Sequence, residues 1–275
     1  MAKIITDSTC DLTLEELKRL DVEMLSLKVN FGKEEFLDKR TITDDEFYKK
    51  LKKSKDLPTT TLISIGEFQE TFDRYPTEEI VVLPISSKLS GTYQSAMMAK
   101  EMTGRSDIYV VETSSVTLCL GLLVRQAVLM NQQGVDGQTI AEKIKELSKR
   151  VKVYAMIDTL KYLVKGGRLT GVQGALGEML NVKPLITVED GAIKNIGKAR
   201  GTKAARSRLV EMVTKERQID WEMPVVFAHT NNKELLKELM EDLQQKDNPE
   251  IHIIGAVVGT HVGPGAIAAV FFEKE

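Results

Sequence analysis

The chain has 275 residues, of which 42% are hydrophobic and 28% are charged. This length is sufficient for two domains of common size, each with its own core. Lys and Arg number 38 against 40 Asp and Glu, for a formal net charge of -2. Such a balance gives no overall attraction for nucleic acid, and we expect no nucleic-acid partner.

The sequence also disfavours a metal-binding protein, a protein stabilised by disulfide bonds and a membrane protein. Cys10 and Cys119 are far apart, and the three histidines form no cluster with them, so we expect buried free thiols and no metal site. The N-terminus lacks the long apolar segment of a signal peptide. The longest apolar run, at 116–124, is far short of the roughly 18 residues of a spanning helix. We expect a cytoplasmic protein without stable membrane insertion.

The first half of the chain alternates predicted strands and helices. Apolar runs predict strands at 3–6, 23–29, 80–85 and 108–111, with helices at 14–20, 43–51, 65–75, 93–102, 117–132 and 139–149. Thr13 with Glu16, and Thr43 with Glu46, match the capping box that starts a helix. The alternation predicts a three-layer α/β/α domain with a parallel sheet over residues 1–150.

The second half mixes strand pairs with helices. Strands predicted at 185–189 and 192–196 flank Asp190-Gly191, a strong hairpin signal. Further strands are predicted at 153–156, 225–229, 251–257 and 268–272, with helices at 159–165, 202–215 and 232–244. These elements predict a two-layer α+β domain with a mixed sheet over residues 151–275.

A turn rich in serine and glycine, Ser86 to Thr92, follows the apolar run 80–85 and precedes a predicted helix. Free N–H groups at a helix start favour anions, and the hydroxyls of Ser90 and Thr92 add donors. The location also fits ligand binding at the carboxyl ends of parallel strands. The alternative is a simple serine cap with a glycine-assisted turn.

Two further segments are candidates for a binding site. Thr59-Thr60-Thr61 places three hydroxyls after a proline, which suits either a polar pocket mouth or an ordinary loop or strand end. The segment 259–265 has three glycines around His261, which indicates a close backbone approach after a strand. His261 could donate to an anion, or it could be a loop histidine bonded to backbone.

Two arginines lie in basic segments. Lys165 to Arg168 is typical of a helix end, and Arg168 could project to bind an anion or a partner. Arg200 lies in the basic stretch 197–203. The alternative for both is solvated surface charge.

Catalytic signals are weak. Ser90 with His261 could form a nucleophile pair acting on an acyl or phosphoryl group, but no Gly-x-Ser-x-Gly elbow is present. A small-anion or nucleotide module using the Ser-Gly-Thr turn is a further alternative, although no Walker A motif supports it.

Taken in order, the motifs resemble those of the DegV family. The segments that carry the resemblance are 6–12 (TDSTCDL), 89–93 (LSGTY), 165–168 (KGGR), 183–184 (KP), 198–200 (KAR) and 260–265 (THVGPG). They span almost the whole chain. The resemblance implies an N-terminal and a C-terminal α/β domain with a lipid tunnel between them.

The resemblance also implies a function. The protein would bind one long-chain fatty acid as its ligand, with no other cofactor. It would present the carboxylate to a kinase subunit resembling dihydroxyacetone kinase, which forms the acyl phosphate used in phospholipid synthesis. The chain would be a carrier subunit and not itself an enzyme.

Site roles follow from the same resemblance. Thr60 and Ser90 would bond the carboxylate, Gly91 and Thr92 would shape the loop, and His261 would lie near the head group. Arg168 and Arg200 would face the kinase or help to hold the acyl phosphate. Family members often have Gln-Pro where this chain has Leu62-Ile63, and this difference concerns the pocket mouth.

Overall fold

The computed structural model describes residues 1–169, 181–216, 219–243 and 249–274. The strands are β1 (Lys3–Asp7), β2 (Glu23–Leu25), β3 (Lys28–Phe31), β4 (Glu34–Leu37), β5 (Thr59–Thr61), β6 (Ile80–Leu83), β7 (Ile108–Val110), β8 (Val151–Met156), β9 (Val182–Glu189), β10 (Ala192–Arg200), β11 (Val226–His229), β12 (Glu250–Ile253) and β13 (Ile267–Phe272). The helices are α1 (Leu14–Arg19), α2 (Asp44–Lys53), α3 (Ile65–Asp73), α4 (Thr92–Thr103), α5 (Leu118–Gln132), α6 (Gly137–Leu147), α7 (Lys161–Lys165), α8 (Thr202–Glu211), α9 (Lys233–Asp242) and α10 (Ala256–Val262).

The first half contains the predicted parallel sheet, in the order β2-β1-β6-β7. Alternate strand residues face opposite layers. Ile4 and Val81 pack with α5 and α6, whereas Ile5 and Val82 pack with α3 and α4. The three-layer prediction is confirmed, and so are the capping boxes at Thr13 and Thr43.

The second half contains a mixed six-stranded sheet, in the order β10-β9-β8-β13-β11-β12. Within this sheet, as far as the structure describes it, β11–β12 is the only parallel pair. One face packs on α8 and α9 through Phe227 and Phe271. The other face, which includes Val153 and Ala268, joins the core around α5, so α5 lies between the two sheets. The α+β prediction is confirmed.

The strands of the parallel sheet precede residue 150 and those of the six-stranded sheet follow it. A division of the chain into domains 1–150 and 151–275 stays a prediction.

Two local predictions are wrong. The segment predicted as one strand at 23–29 forms β2 and β3, which belong to different sheets, and β4-β3-β5 is an unpredicted third sheet. Of the alternatives left open for the threonines 59–61, the strand applies and the loop does not, because they form β5 of that sheet. The strand predicted at 251–257 ends at Ile253, and its remainder starts α10. Short apolar runs do not distinguish a strand from a buried helix.

Other boundaries shift slightly. The helix predicted at 202–215 is α8 followed by a π-helical turn, Met212–Glu216. The predicted helix end at Gln244 lies outside the described residues. Among the helices of the described residues, none combines the length and apolar character needed to cross a membrane.

Candidate functional site

An apolar cavity lies between the six-stranded sheet and the first half of the chain. Its empty space, counted out to its open mouth and including the open solvent there, is about 1010 Å³. Val153, Ala155 and Ala268 line it from the sheet, while Leu27 and Val116 line it from the other side. A cavity with mostly aliphatic walls suits an apolar ligand.

The polar residues of this cavity include four that the sequence singled out. Thr60, Ser90, Arg168 and His261 all line it, together with the predicted loop residue Gly91. They come from β5, from the loop before α4, from the segment after α7 and from α10. These elements are far apart in sequence, and the fold brings them to one place.

Thr60 and His261 form a direct pair. Thr60 Oγ1 lies 2.9 Å from His261 Nε2, while the buried Nδ1 has no hydrogen-bond partner among the described residues. Nδ1 instead faces the backbone of Gly166. If Nε2 carries the proton and donates it to Thr60, the threonine hydroxyl is free to donate its own proton to an anion.

His261 is held in the neutral form. Burial lowers its pKa to about 4, and the positive charge of Arg168 acts in the same direction. At pH 7 the imidazole is therefore a neutral donor and acceptor, not a counter-ion for an anion. The helix α10 carries this histidine, which corrects its predicted place in a loop.

Ser90 and Thr92 form a second hydroxyl pair. Ser90 Oγ lies 2.9 Å from Thr92 Oγ1 and also accepts from the Thr92 N–H at 3.3 Å. Thr92 is fully buried and does not line the cavity. It therefore supports Ser90 from behind, and when Thr92 donates to it, the Ser90 proton can point to an anion.

Ser90 and His261 do not form a nucleophile pair. Each is bonded to another hydroxyl, Thr92 for the serine and Thr60 for the histidine, and no hydrogen bond between the two occurs among the described residues. The geometry therefore does not favour the hydrolase alternative, in which His261 would take the serine proton.

The two arginines have different positions. Arg168 donates from Nε to the Leu89 carbonyl at 3.1 Å and from Nη1 to the Gly166 carbonyl at 2.6 Å. It therefore connects the Ser90 loop to the segment beside His261. Arg200 is exposed at the end of β10 and is not among the cavity residues.

Leu62 and Ile63 lie in different environments: the first at the mouth of the cavity and the second in the core. Leu62 lines the cavity, is 41% exposed, and lies so close to Gly91 that a Cβ there would approach its Cδ2 to 2.9 Å. Ile63 is buried in the core around α3 and α4. Of these two residues, Leu62 is therefore the one at the mouth, where it forms an aliphatic cover over the glycine of the loop.

The motif at the end of β1 contains a residue whose role the sequence did not reveal. Asp11 Oδ1 accepts from the Gly255 N–H at 2.9 Å, and Oδ2 accepts from the Thr117 hydroxyl at 2.6 Å. Lys39 Nζ lies 3.8 Å from Oδ1. Burial raises the pKa of Asp11 to about 6, although Lys39 opposes this shift.

Through these two hydrogen bonds, Asp11 fixes the position of two segments that form walls of the cavity. Gly255 immediately precedes α10, which carries Val257, Val258 and His261 into the cavity, and Thr117 lines it directly. The same motif holds the chain before the Ser90 loop, because Asp7 Oδ2 accepts from the Ile85 N–H at 2.7 Å. The sequence signal that could have revealed these roles is the presence of two carboxylates, Asp7 and Asp11, in one short motif at the end of a strand.

Both cysteines are free and buried, as predicted. Burial raises the pKa of each thiol to about 12, so neither is a reactive nucleophile.

Comparisons with known proteins place this architecture in one class. Residues 1–274 match the family model described as "Uncharacterised protein, DegV family". A DegV domain-containing protein of Caldanaerobacter subterraneus is 36% identical, over 99% of this chain and 98% of the relative. Protein DegV of Bacillus subtilis is 30% identical, over 96% of each chain. The chain belongs to the DegV family.

Solved structures of the same family have the same fold. A Thermus thermophilus DegV family protein, described by its fatty acid binding, has a TM-score of 0.87 at 29% identity, with 99% of each chain covered. DegV of Bacillus subtilis, described as a fatty acid binding protein, has a TM-score of 0.85 at 28% identity and the same coverage. A stearic acid-binding protein of Eubacterium ventriosum also has a TM-score of 0.85 at 28% identity, over 99% of this chain and 98% of that chain.

The substitution Gly166→Ala tests the packing behind His261. A Cβ at this glycine would lie 2.3 Å from His261 Nδ1, so the imidazole or the backbone at Gly166 must shift, which disturbs the contact of His261 with Thr60. We expect the free energy of unfolding to fall by about 1–3 kcal/mol, as for overpacked sites. Denaturant unfolding measures this change.

The matched control is Gly66→Ala in α3, where a Cβ would meet nothing within 4 Å. Here the helix should gain about 0.5–1 kcal/mol. Equal effects of the two substitutions would show that Gly166 is not packed against the imidazole.

The substitution Asp11→Ala tests the junction between β1, α5 and α10. Asp11 and Asp21 both have positive φ, at 55° and 52°, so alanine is strained at either position. Asp21 is 91% exposed in its pair with Lys3, and it serves as the control. Because Asp11→Ala also leaves buried donors without acceptors, we expect it to destabilise by about 2–4 kcal/mol more than Asp21→Ala. A similar loss for both variants would contradict the assigned role.

Titration tests the environment of His261. By NMR, its imidazole in ligand-free protein should titrate near pH 4, and Arg168→Gln should raise that midpoint. The unfolded chain takes up this proton first as the pH falls from 6.5 towards 4, so His261 lowers folding stability over that window. A midpoint near 6.5 in the wild-type chain would contradict the buried, neutral assignment.

Proposed function

We propose that this chain binds one long-chain fatty acid in the apolar cavity and presents its carboxylate to a kinase subunit resembling dihydroxyacetone kinase, which converts it to an acyl phosphate. The chain acts as a carrier subunit and not as an enzyme. The observation that carries the proposal is an aliphatic cavity that ends at a group of neutral hydroxyls, Thr60 and Ser90. Its membership of a family with fatty-acid-binding structures supports the same ligand.

The tail supplies most of the binding free energy. Burial of a methylene group contributes about 0.8 kcal/mol, so a sixteen-carbon chain contributes on the order of 10 kcal/mol before ordering costs. Val153, Ala155, Ile186 and Ala268 provide the aliphatic contacts from the sheet. In this proposal the residues 1–150 and 151–275 act as two domains that hold the acid between them.

The head group is satisfied without a strong ion pair. The hydroxyls of Thr60 and Ser90 each have an internal partner, His261 and Thr92 respectively. When these partners donate, both hydroxyl protons are directed to the ligand carboxylate, which would otherwise be buried without partners. Neutral donors leave the carboxylate with its charge, and this charge makes it a nucleophile towards a phosphoryl donor.

Presentation to the kinase requires an accessible head group. Thr60, Arg168 and His261 line both the apolar cavity and a second, polar cavity that opens beside it. Arg168 is placed to contact the head group or the kinase. Arg200 is an exposed cation outside the cavity, and we assign it to the kinase contact.

Mass spectrometry of an organic extract from freshly purified protein, with native mass for stoichiometry, tests the ligand. We expect one fatty acid per chain.

The double substitution Thr60→Val/Ser90→Ala removes both donors to a charged group and should weaken fatty-acid binding by at least about tenfold. It should also abolish phosphorylation in the presence of the kinase.

The control is Thr187→Val, which changes a hydroxyl in the same cavity that already donates to the Val153 carbonyl at 2.8 Å. This variant should retain its fatty-acid affinity. A purified protein that is empty and also fails to take up added fatty acid would overturn the proposal. Turnover of an acyl or phosphoryl substrate by the chain alone would replace the carrier assignment with an enzyme.

A further inference from the structure

The start of α10 is held by three buried side chains from the first half of the chain. Tyr48 Oη donates to the Ile254 carbonyl at 2.7 Å. Asp38 Oδ1 accepts from the Ala256 N–H at 3.3 Å, and the N–H between these two positions donates to Asp11. Three consecutive residues are therefore each bonded to a different side chain, and the direction of α10 depends on them.

Three carboxylates share one ammonium group at this point. Lys39 Nζ lies 3.8 Å from Asp11 Oδ1 and 4.0 Å from Asp44 Oδ2, and its charge also acts on Asp38. These four residues form the aspartate cluster. Asp38 is 1% exposed, and its Oδ2 and Asp44 Oδ1 have no hydrogen-bond partner among the described residues. With all four groups ionised, the interior holds an excess of negative charge with incomplete hydrogen bonding, which is costly.

The backbone is shaped around the aspartate cluster. Lys39 has a φ of 62°, in the left-handed region that residues other than glycine seldom adopt. Gly255 lies so close that a Cβ there would approach Asp11 Oδ1 to 2.7 Å and Lys39 Nζ to 3.2 Å. The charges of the cluster therefore lie directly against the backbone from which α10 starts.

Asp38 is the member of the cluster that changes charge near neutral pH. Burial raises its pKa to about 7, and Lys39 opposes this shift. Burial also raises the pKa of Asp11 to about 6, so the two carboxylates titrate in neighbouring, coupled steps. Burial disfavours the charge of Lys39, but the three carboxylates together raise its pKa, so it stays an ammonium.

The thiol and the phenol that face the cluster stay neutral. Burial raises the pKa of Cys10 to about 12 and that of Tyr48 well above its usual value. Burial also raises the pKa of Asp44, which adds a third carboxylate to the coupled set. In α10 itself, His261 is the titratable residue, and it is already neutral. A change of charge near pH 7 at the start of α10 therefore belongs to the carboxylates.

We propose that Asp38 is a positioning residue for His261, and that its charge makes the polar end of the cavity sensitive to pH near neutrality. The ionised carboxylate accepts from the Ala256 N–H in a charge-assisted bond, which is about twice as strong as a neutral one. Uptake of a proton makes this bond neutral, so α10 is held less tightly and His261 is less fixed against Thr60. As regards the fatty acid, this inference rests on the proposed function: the acid should bind more tightly when Asp38 is ionised.

The ionised form of Asp38 costs folding stability. Its folded pKa of about 7 lies above the usual 3.8, so the folded chain takes up this proton first as the pH falls. The contribution of Asp38 to stability therefore rises as the pH falls from about 7 towards 4, and the charge lowers stability above pH 7. A side chain needed only for stability would be better uncharged at this depth, whereas the placement of α10 accounts for the charge.

The test uses His261 as a reporter in the ligand-free, full chain. By NMR, the wild-type imidazole signals should shift in a step near pH 7, in addition to the titration of the ring itself near pH 4. This readout needs no variant, so it does not depend on how a substitution folds. Asp38→Asn keeps the size and one acceptor oxygen but removes the charge, and it should abolish the step near pH 7.

Two further readouts separate positioning from a purely structural role. Asp38→Asn should resist denaturant better than the wild-type chain at pH 8, because a buried charge is removed. At the same pH it should bind hexadecanoate about threefold or more weakly, and at pH 5 the two chains should bind alike. Comparison of the two chains at each pH cancels any change in the ligand itself.

The matched control is Asp45→Asn, which removes a carboxylate from an exposed position in the first turn of α2. It should keep the step near pH 7 and the wild-type affinity. A wild-type chain without this step, or a step that persists in Asp38→Asn, overturns the positioning role while the fatty-acid proposal stands. Equal affinities of Asp38→Asn and wild type at pH 8 overturn the link to the ligand. Failure of the wild-type chain to bind hexadecanoate at either pH overturns the proposed function, and the NMR result still decides the role of Asp38.

Discussion

The buried carboxylate of Asp11 is the contact on which the rest of the cavity depends. It joins the end of β1 to Thr117 before α5 and to Gly255 before α10. These segments are separated by more than one hundred residues in sequence, and both lead into cavity walls. The lost hydration of Asp11 is offset by two hydrogen bonds and by the nearby ammonium group of Lys39. The position of His261 relative to Thr60 follows from this junction, because α10 starts there.

The polar end of the apolar cavity combines neutral hydroxyls with cations. Burial and Arg168 keep His261 uncharged, and Thr60 and Ser90 contribute hydroxyls. Arg168 lines the same end of the cavity and donates to two backbone carbonyls, while Lys161 and Lys165 line the second, polar cavity beside it. In the proposed function, a carboxylate held by the hydroxyls would keep its charge and its reactivity.

Sequence periodicity predicted those elements whose environment is regular. The apolar run 80–85 was correctly assigned to a buried parallel strand, and β9 with β10 forms the hairpin that Asp190-Gly191 predicted. Periodicity failed at 251–257, where a short apolar run suits a strand or a buried helix equally well. At 59–61 the sequence left a pocket mouth, a loop and a strand end open. The three threonines form a strand because β3 lies beside them.

The sequence by itself determined the fold class, the helix starts at Thr13 and Thr43, and the candidate residues for the polar end of the cavity, since these depend on local spacing and on motifs in order. Thr60, Ser90, Gly91, Arg168 and His261 were all identifiable in this way. Only the tertiary structure decided that His261 pairs with Thr60 and not with Ser90, that Thr92 supports the loop from behind, and that Arg200 lies outside the cavity. The reason is physical: hydrogen bonds between residues about two hundred positions apart depend on how the sheets and α10 pack, and no local pattern encodes that packing.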